Sequence, residues 1–243
     1  MIKRYTLALE DVLCSKISVI DNAVFSMSKE RLFRLMSKES SLDDILDTVF
    51  NYSGYWVYRS ICPQQVRIEL KRLAHEVDKI KPLNILEIGT YTGGSLYAWA
   101  RHFQSCRKII SIDMPMGLRA RSCAHTNIKF FRLFDRTKQL YFLREDSHSD
   151  RTVNMVSEIL GPEPVDFLFI DGDHSYNGVK QDFDNYRQFM RPGGIVAFHD
   201  IVNSKCDVSK FWAEIKGEFE SKEIVAQDLS PYGIPFGIGI IYT

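Results

Sequence analysis

The feature that most restricts the fold of this chain is an alternation of short, nearly continuous apolar runs with stretches of helical periodicity. The runs are NILEIG (84–89), KIISID (108–113), QLYFLRED (139–146), VDFLFID (165–171) and GGIVAFHD (193–200), with EIVAQDL and GIGIIYT toward the end. Between them SLYAWARHF (95–103), residues 117–126, RTVNMVSEIL, SYNGVKQDFDNYRQFM and VSKFWAEIKGEF read as helices. In the fourth of these, Val179, Phe183, Tyr186 and Met190 share one face. Strands that are apolar throughout must be covered on both sides. The pattern therefore predicts an α/β fold, a doubly wound, mostly parallel, seven-stranded sheet with helices on both faces.

Upstream, residues 63–80 form an amphipathic stretch that opens at Pro63 and carries Val66, Leu70, Leu73, Val77 and Ile80 on one stripe; Pro82 ends it. Residues 1–62 are helix-like but irregular and are expected to form an N-terminal helical extension or lid on a domain spanning 63–243. Lysine and arginine balance aspartate and glutamate at 31 each, so no one-sided field draws in nucleic acid or an anionic membrane. No apolar run reaches the ~18 residues of a membrane span, and Glu10, Asp11 and Lys16 interrupt the N-terminus too early for a signal peptide. The five cysteines are scattered without metal-ligand spacing, which suits reduced thiols in a cytoplasmic protein. Whether the helices at the chain ends pair protomers in a homo-oligomer or only cover the sheet stays open.

In a sheet of this kind ligands bind beyond the carboxyl ends of the strands. There the sequence sets Glu87, Asp113, Asp146, Asp171 and Asp200, one acid at or beside each of five strand ends. Helix capping explains one such residue more readily than five. The first turn, Glu87-Ile-Gly89-Thr90-Tyr91-Thr-Gly93-Gly94-Ser95, has glycines that let backbone amides approach a ligand. It does not suit a dinucleotide, because Tyr91 stands where that fingerprint needs its second glycine, and no Gly-Lys-Ser/Thr follows for a P-loop.

The turn resembles motif I of class I S-adenosylmethionine-dependent methyltransferases, which have a Rossmann-like fold, and EIGTYTGGS is similar to that of catechol O-methyltransferase-like enzymes. FIDGDHSY (169–176) followed by RPGGIVAFHDI (191–201) resembles metal-assisted O-methyltransferases, a group that includes macrolide-sugar and rhamnosyl O-methyltransferases and proteins labelled cephalosporin hydroxylase. The likeness covers about residues 60–201. It implies a cofactor, S-adenosyl-L-methionine, held by Glu87, Gly89, Thr90, Tyr91, Gly93 and Ser95, with Asp113 on the ribose, Asp146 and Ser147 beside the adenine, and Asp171 facing the amine. It further implies a cation, Mg²⁺ or Mn²⁺, on Asp171 and Asp200. Where related enzymes carry a second acid or an Asn beside the final Asp, this chain has His199 and Ile201. Isoleucine cannot ligate, so His199 is the candidate third ligand.

Transfer of a methyl group from a sulfonium needs alignment, exclusion of water and a deprotonated acceptor. A divalent cation at the acceptor oxygen stabilises the negative charge, and Asp171 with His174 as general base would complete the catalytic set. His174 could instead only help open a helix capped by Asp173 or Ser175, and Asp200 could cap the next one. His148 is expected near the adenine, and His75, His102 and His125 on solvated helices. Tyr52, Tyr55, Trp56, Tyr58 and Arg59 either wall the acceptor site or pack the N-terminal segment. The expected substrate is a small hydroxylated molecule, a sugar unit or natural product. A metal-independent methyltransferase using His174 alone, and a non-catalytic cofactor-binding partner subunit, are the competing readings.

Overall fold

In the computed structural model, residues 2–114, 128–226 and 235–243 are described, with side chains from residue 19 onward. The helix expected at 117–126, with His125, lies outside them, as does the end of the strand expected through residue 229. The apolar runs form β1 (Asn84–Ile88), β2 (Lys108–Ile112), β3 (Gln139–Leu143), β4 (Val165–Ile170), β5 (Met190–His199), β6 (Glu220–Ile224) and β7 (Ile238–Tyr242). Their order across the sheet is β3-β2-β1-β4-β5-β7-β6. β1 to β5 run parallel, whereas β7 is antiparallel to both β5 and β6. The chain reverses its winding between β1 and β4, which opens a crevice above their carboxyl ends.

Among the described residues seven α-helices pack with the sheet: α1 (Ile2–Met36), α2 (Leu42–Asn51), α3 (Arg67–Asp78), α4 (Gly94–His102), α5 (Asp150–Leu160), α6 (Tyr176–Tyr186) and α7 (Val208–Ile215). Alternation along the strands sorts them into two cores. On β4, Phe167 and Phe169 point to a core with Trp99, Phe103, Leu70 and Leu46 from α4, α3 and α2. Leu168 and Ile170 point to the other, with Val156, Val179, Phe183, Phe211 and Trp212 from α5, α6 and α7. Each such side chain contributes about 1.5–3 kcal/mol on leaving water. Both faces of the sheet are therefore covered, and the architecture is the Rossmann-like doubly wound one.

Several boundaries differ from the sequence expectation. Met190, expected on a helix face, begins β5, because a short 3₁₀ turn at Arg187–Phe189 ends the helical stretch. β3 stops at Leu143, leaving residues 144–149 as a loop above the sheet. The stretch opening at Pro63 becomes helical only at Arg67. The final edge strand starts earlier than expected, at Glu220.

The N-terminal segment is anchored by polar contacts that its composition does not announce. The buried Glu39 carboxylate accepts from the Tyr97 hydroxyl and, at 2.9 Å, from Arg101 Nε, both on α4. Tyr58 Oη lies 3.1 Å from Asp21 Oδ1, and its ring meets Phe25 at 5.3 Å and Phe130 at 5.2 Å. No helix among the described residues is long and apolar enough to cross a membrane.

Candidate active site

The turn after β1 is shaped by its neighbours. Gly89, at φ +94°, sits where an added Cβ would lie 2.0 Å from the Asp171 carbonyl oxygen, so only glycine lets the ends of β1 and β4 approach this closely. Gly94 opens α4 against the segment at 61–63; a Cβ there would lie 2.4 Å from the Ile61 carbonyl oxygen. Tyr91 takes a left-handed φ of +46° and turns its ring outward, 60% exposed.

Glu87, expected at the rim, belongs to β1 and is fully buried beneath the turn. Trp99 Nε1 and Ser111 Oγ each donate to it at 3.2 Å, and burial pushes its carboxyl up to about 8. The Ser95 hydroxyl also acts on this carboxyl and holds it lower than burial alone would. Glu87 thus buttresses the turn from below.

Above the turn lies a cavity of about 830 Å³. Gly89, Thr90, Tyr91, Gly94 and Ser95 line one wall, Asp113 and the loop Arg144–His148 another, and Asp171 to His174 a third. Glu87 and Gly93 are not among its lining residues. Of the aromatic cluster only Tyr58 lines it, beside Val57; Tyr52 is buried in packing against Phe130, whereas Tyr55 and Trp56 are exposed.

Asp113 leaves the end of β2 and is not a free carboxylate. Arg144 Nη1 donates to its Oδ2 at 2.6 Å, and the backbone N–H groups of Thr90 and Tyr91 also donate to it. Burial nevertheless raises its pKa, against the pull of the guanidinium. Asp146 Oδ1 accepts from the His148 backbone N–H at 2.9 Å.

At the far end, β4 and β5 bring two carboxylates and two imidazoles together. His174 Nε2 stands 3.2 Å from Asp171 Oδ1 and 3.3 Å from Asp200 Oδ2. His199 Nδ1 reaches the same two oxygens at 3.1 and 3.3 Å. Burial opposes charge at Asp171, yet the two rings hold its carboxyl well below the usual range. Burial likewise opposes charge at His199, but Asp171 and Asp200 carry it up to about 10; the bond to Asp171 raises His174 too. Asp200 adopts φ +68°, rare for a residue with a side chain, and is steadied by Asn203 Nδ2 at 2.8 Å from its Oδ1. It does not cap α7, whose N-cap is Asp207, whereas Ser175 does cap α6.

The distribution of exposure separates the two rings. The His199 side chain is 2% exposed and lies outside the cavity lining, while that of His174 is 43% exposed and lines it. Asp171, His174 and Asp200 each offer a donor atom within 4.8 Å of the others. His75 is exposed as expected, but His102 is half-buried against Phe103, its pKa lowered by burial.

Two contributors have no sequence signal. Gln65 Nε2 donates to Asp171 Oδ2 from the segment before α3, and Arg144 pairs with Asp113. Neither lies in a recognisable motif, since both are defined by a partner far away in the chain.

The sheet order, the glycine turn and the acids at the strand ends together define a Rossmann-like, doubly wound fold with a ligand crevice beyond its strand ends. Residues 86–201 match a family described as a methyltransferase domain. Relatives by sequence are uncharacterized protein R132 of Acanthamoeba polyphaga mimivirus, 29% identical over 54% of this chain and 57% of that protein, and uncharacterized protein y4gI of Sinorhizobium fredii, 25% identical over 57% of this chain. The chain spans little more than half of the first and 16% of the second. Among solved structures the fold is shared with an O-methyltransferase from Bacillus cereus in complex with SAH, at TM-score 0.54 and 20% identity over 92% of this chain and 100% of that one. It is also shared with the methyltransferase MycE, in complex with Mg, SAH and mycinamycin VI, at TM-score 0.52 and 15% identity over 84% of this chain and 55% of that one.

Proposed function

We propose that this protein binds S-adenosyl-L-methionine and transfers its methyl group to a hydroxyl of a small acceptor, a sugar unit or another natural product, with a divalent cation assisting. The observation that carries the reading is one cavity with a glycine turn and a ribose-suited acid on one side and Asp171 and His174 on the other, with His199 and Asp200 packed behind them. Of the solved neighbours named above, both hold SAH, which supports the cofactor, and the one from Bacillus cereus is an O-methyltransferase, which supports the oxygen acceptor.

The donor set fits a divalent cation, since two carboxylates balance its charge and their oxygens already share ring nitrogens at 3.1–3.3 Å. Asp171 and Asp200 would hold it, with His199 as the buried nitrogen donor. Bound there, Mg²⁺ or Mn²⁺ would supply Lewis-acid stabilisation of the negative charge on the acceptor oxygen. His174, exposed to the cavity, receives the acceptor proton at a ring nitrogen, and Asp171 keeps that ring oriented. Gly89 and Ser95 would meet the methionine end of the cofactor, Asp113 with Arg144 the ribose, and Asp146 and Ser147 the adenine. Val57 and Tyr58 help exclude water from the acceptor side.

A second reading, metal-independent transfer, is favoured by the direct His174–Asp171 contact, which orients the base without an ion. Calorimetric titration with S-adenosylmethionine, S-adenosylhomocysteine and NAD tests the cofactor. The first two should bind and NAD should not, and Asp113→Ala should weaken them at least about tenfold. SAH release in the presence of hydroxylated acceptors, with and without a chelator, separates the two mechanisms. Loss on chelation with recovery in Mn²⁺ or Mg²⁺ supports the first, and unchanged turnover supports the second.

A further inference from the structure

One buried carboxylate takes no part in the site described so far. Asp182, on α6, is 0% exposed, and among the described residues no group closes a well-formed hydrogen bond on either of its oxygens. A buried carboxylate that lacks a well-formed hydrogen bond is costly to keep, so its retention calls for a physical reason. His148 Nε2 stands 3.3 Å from Asp182 Oδ1, and the Ser147 side chain also acts on the carboxyl. Burial pushes Asp182 up to about 6, Ser147 and His148 pull it down, and the charges of Asp173 and Asp146 push it up again. Both Ser147 and His148 line the cavity; Asp182 lies behind it, screened by Gly172, where a Cβ would come 3.3 Å from Asp182 Oδ2.

The rest of that face of α6 holds the same segment. Tyr186 Oη donates to the Ser147 carbonyl at 2.7 Å, Asn185 Nδ2 to the same oxygen at 3.4 Å, and Gln181 Nε2 to the His148 carbonyl at 3.2 Å. Residues 181, 182, 185 and 186 are neighbours at helical spacing, so one helix face grips residues 147 and 148 through carbonyls and side chains together. A trans peptide is planar, so drawing the Ser147 carbonyl toward α6 turns the His148 N–H the other way. That N–H donates to Asp146 Oδ1 at 2.9 Å and so orients the Asp146 carboxylate.

We infer that Asp182 is a positioning residue for recognition of the adenine ring: through His148 and Ser147 it fixes the 146–148 segment, and with it the carboxylate of Asp146 that accepts from the exocyclic amino group. This rests on the cofactor reading above. It assigns α6 a part in nucleobase selection although none of its gripping residues is needed to touch the ligand.

The test is calorimetric binding of S-adenosylhomocysteine and of its inosine counterpart, which carries a 6-oxo group in place of the amine. The wild-type protein should prefer the adenine compound by about tenfold, the value of one hydrogen bond. Asp182→Asn should remove most of that preference by weakening the adenine compound alone, and Asp182→Glu should restore part of it. His148→Gln reports on the same contact from the cavity side and should have the same effect, with the double variant no worse than either single one. Wild-type discrimination in Asp182→Asn, or equal weakening of both compounds with a lowered melting temperature, would overturn the inference and leave the residue a purely structural one. Wild-type protein that binds neither compound would sink the cofactor reading along with it.

Discussion

At the scale of single residues, the site depends on how burial and neighbours divide the charges. Glu87 and Asp171 are both deeply set carboxyls at the ends of adjacent strands, yet they are driven in opposite directions. Asp171 faces two rings that hold it ionised, whereas Glu87 faces hydroxyls and an indole and is pushed up to about 8. An acid whose folded pKa lies above its unfolded value favours the native state below the unfolded value and loses that support as pH rises through the folded one. Stability tied to Glu87 is therefore fully present below about pH 4.5 and declines toward pH 8. Glu87→Gln removes the titration, so its stability relative to wild type should rise across that window by up to roughly 1.4 kcal/mol per pH unit, read from urea midpoints at several pH values. A flat difference would mean that the carboxyl stays ionised in the folded protein. Asp171→Asn should leave the fold intact while cutting turnover at least about a hundredfold, measured as SAH release beside the melting temperature; equal loss of both would count against its chemical role.

At the scale of elements, the strand ends do most of the positioning. Asp171 and Asp200 come together because β4 and β5 are parallel neighbours, with Ile170 paired to Phe198. The close approach of the ends of β1 and β4, which are parallel neighbours, leaves no room for a side chain at residue 89. Gly89→Ala should therefore destabilise the protein by about 3 kcal/mol or more in chemical denaturation and abolish S-adenosylhomocysteine binding, since both the positive φ and the 2.0 Å approach to Asp171 forbid a Cβ. Near-normal binding by this variant would show that the turn can be rebuilt. The glycine pattern and the strand-end acids were visible as sequence, because each is a local signal of type and spacing. The grip of α6 on residues 147 and 148 was not. Of its donors, Gln181 and Asn185 look like ordinary polar positions of an amphipathic helix and Tyr186 like part of its apolar face, until the loop after β3 is laid across them.

At the scale of the whole molecule, the N-terminal helices are bound to the sheet domain by buried polar contacts as well as by rings. Glu39 joins the segment between α1 and α2 to Tyr97 and Arg101 of α4, with its side chain 3% exposed. Glu39→Gln leaves Arg101, 27% exposed, without its counter-charge and should cost about 2 kcal/mol, seen as a lower urea midpoint. Val57, Tyr58 and Gln65, which follow this segment in the chain, line the cavity, so loosening it should also weaken S-adenosylhomocysteine binding. An unchanged S-adenosylhomocysteine affinity in that variant would separate the stability of the N-terminal segment from the shape of the site.

What the sequence determined by itself was the succession of strands and helices, the two-sided covering of the sheet, the glycine turn, and the acids Asp113, Asp171 and Asp200 at strand ends. These follow from periodicity, backbone sterics and residue type within a few positions of one another. Only the tertiary structure decided that Glu87 lies under the turn, that Arg144 occupies Asp113, that both His174 and His199 meet the same pair of carboxylate oxygens, and that Gln65 closes on Asp171. Each of those pairs residues distant in the chain or depends on which way a side chain turns. Hydrogen bonding and burial act on positions in space, which local pattern does not encode.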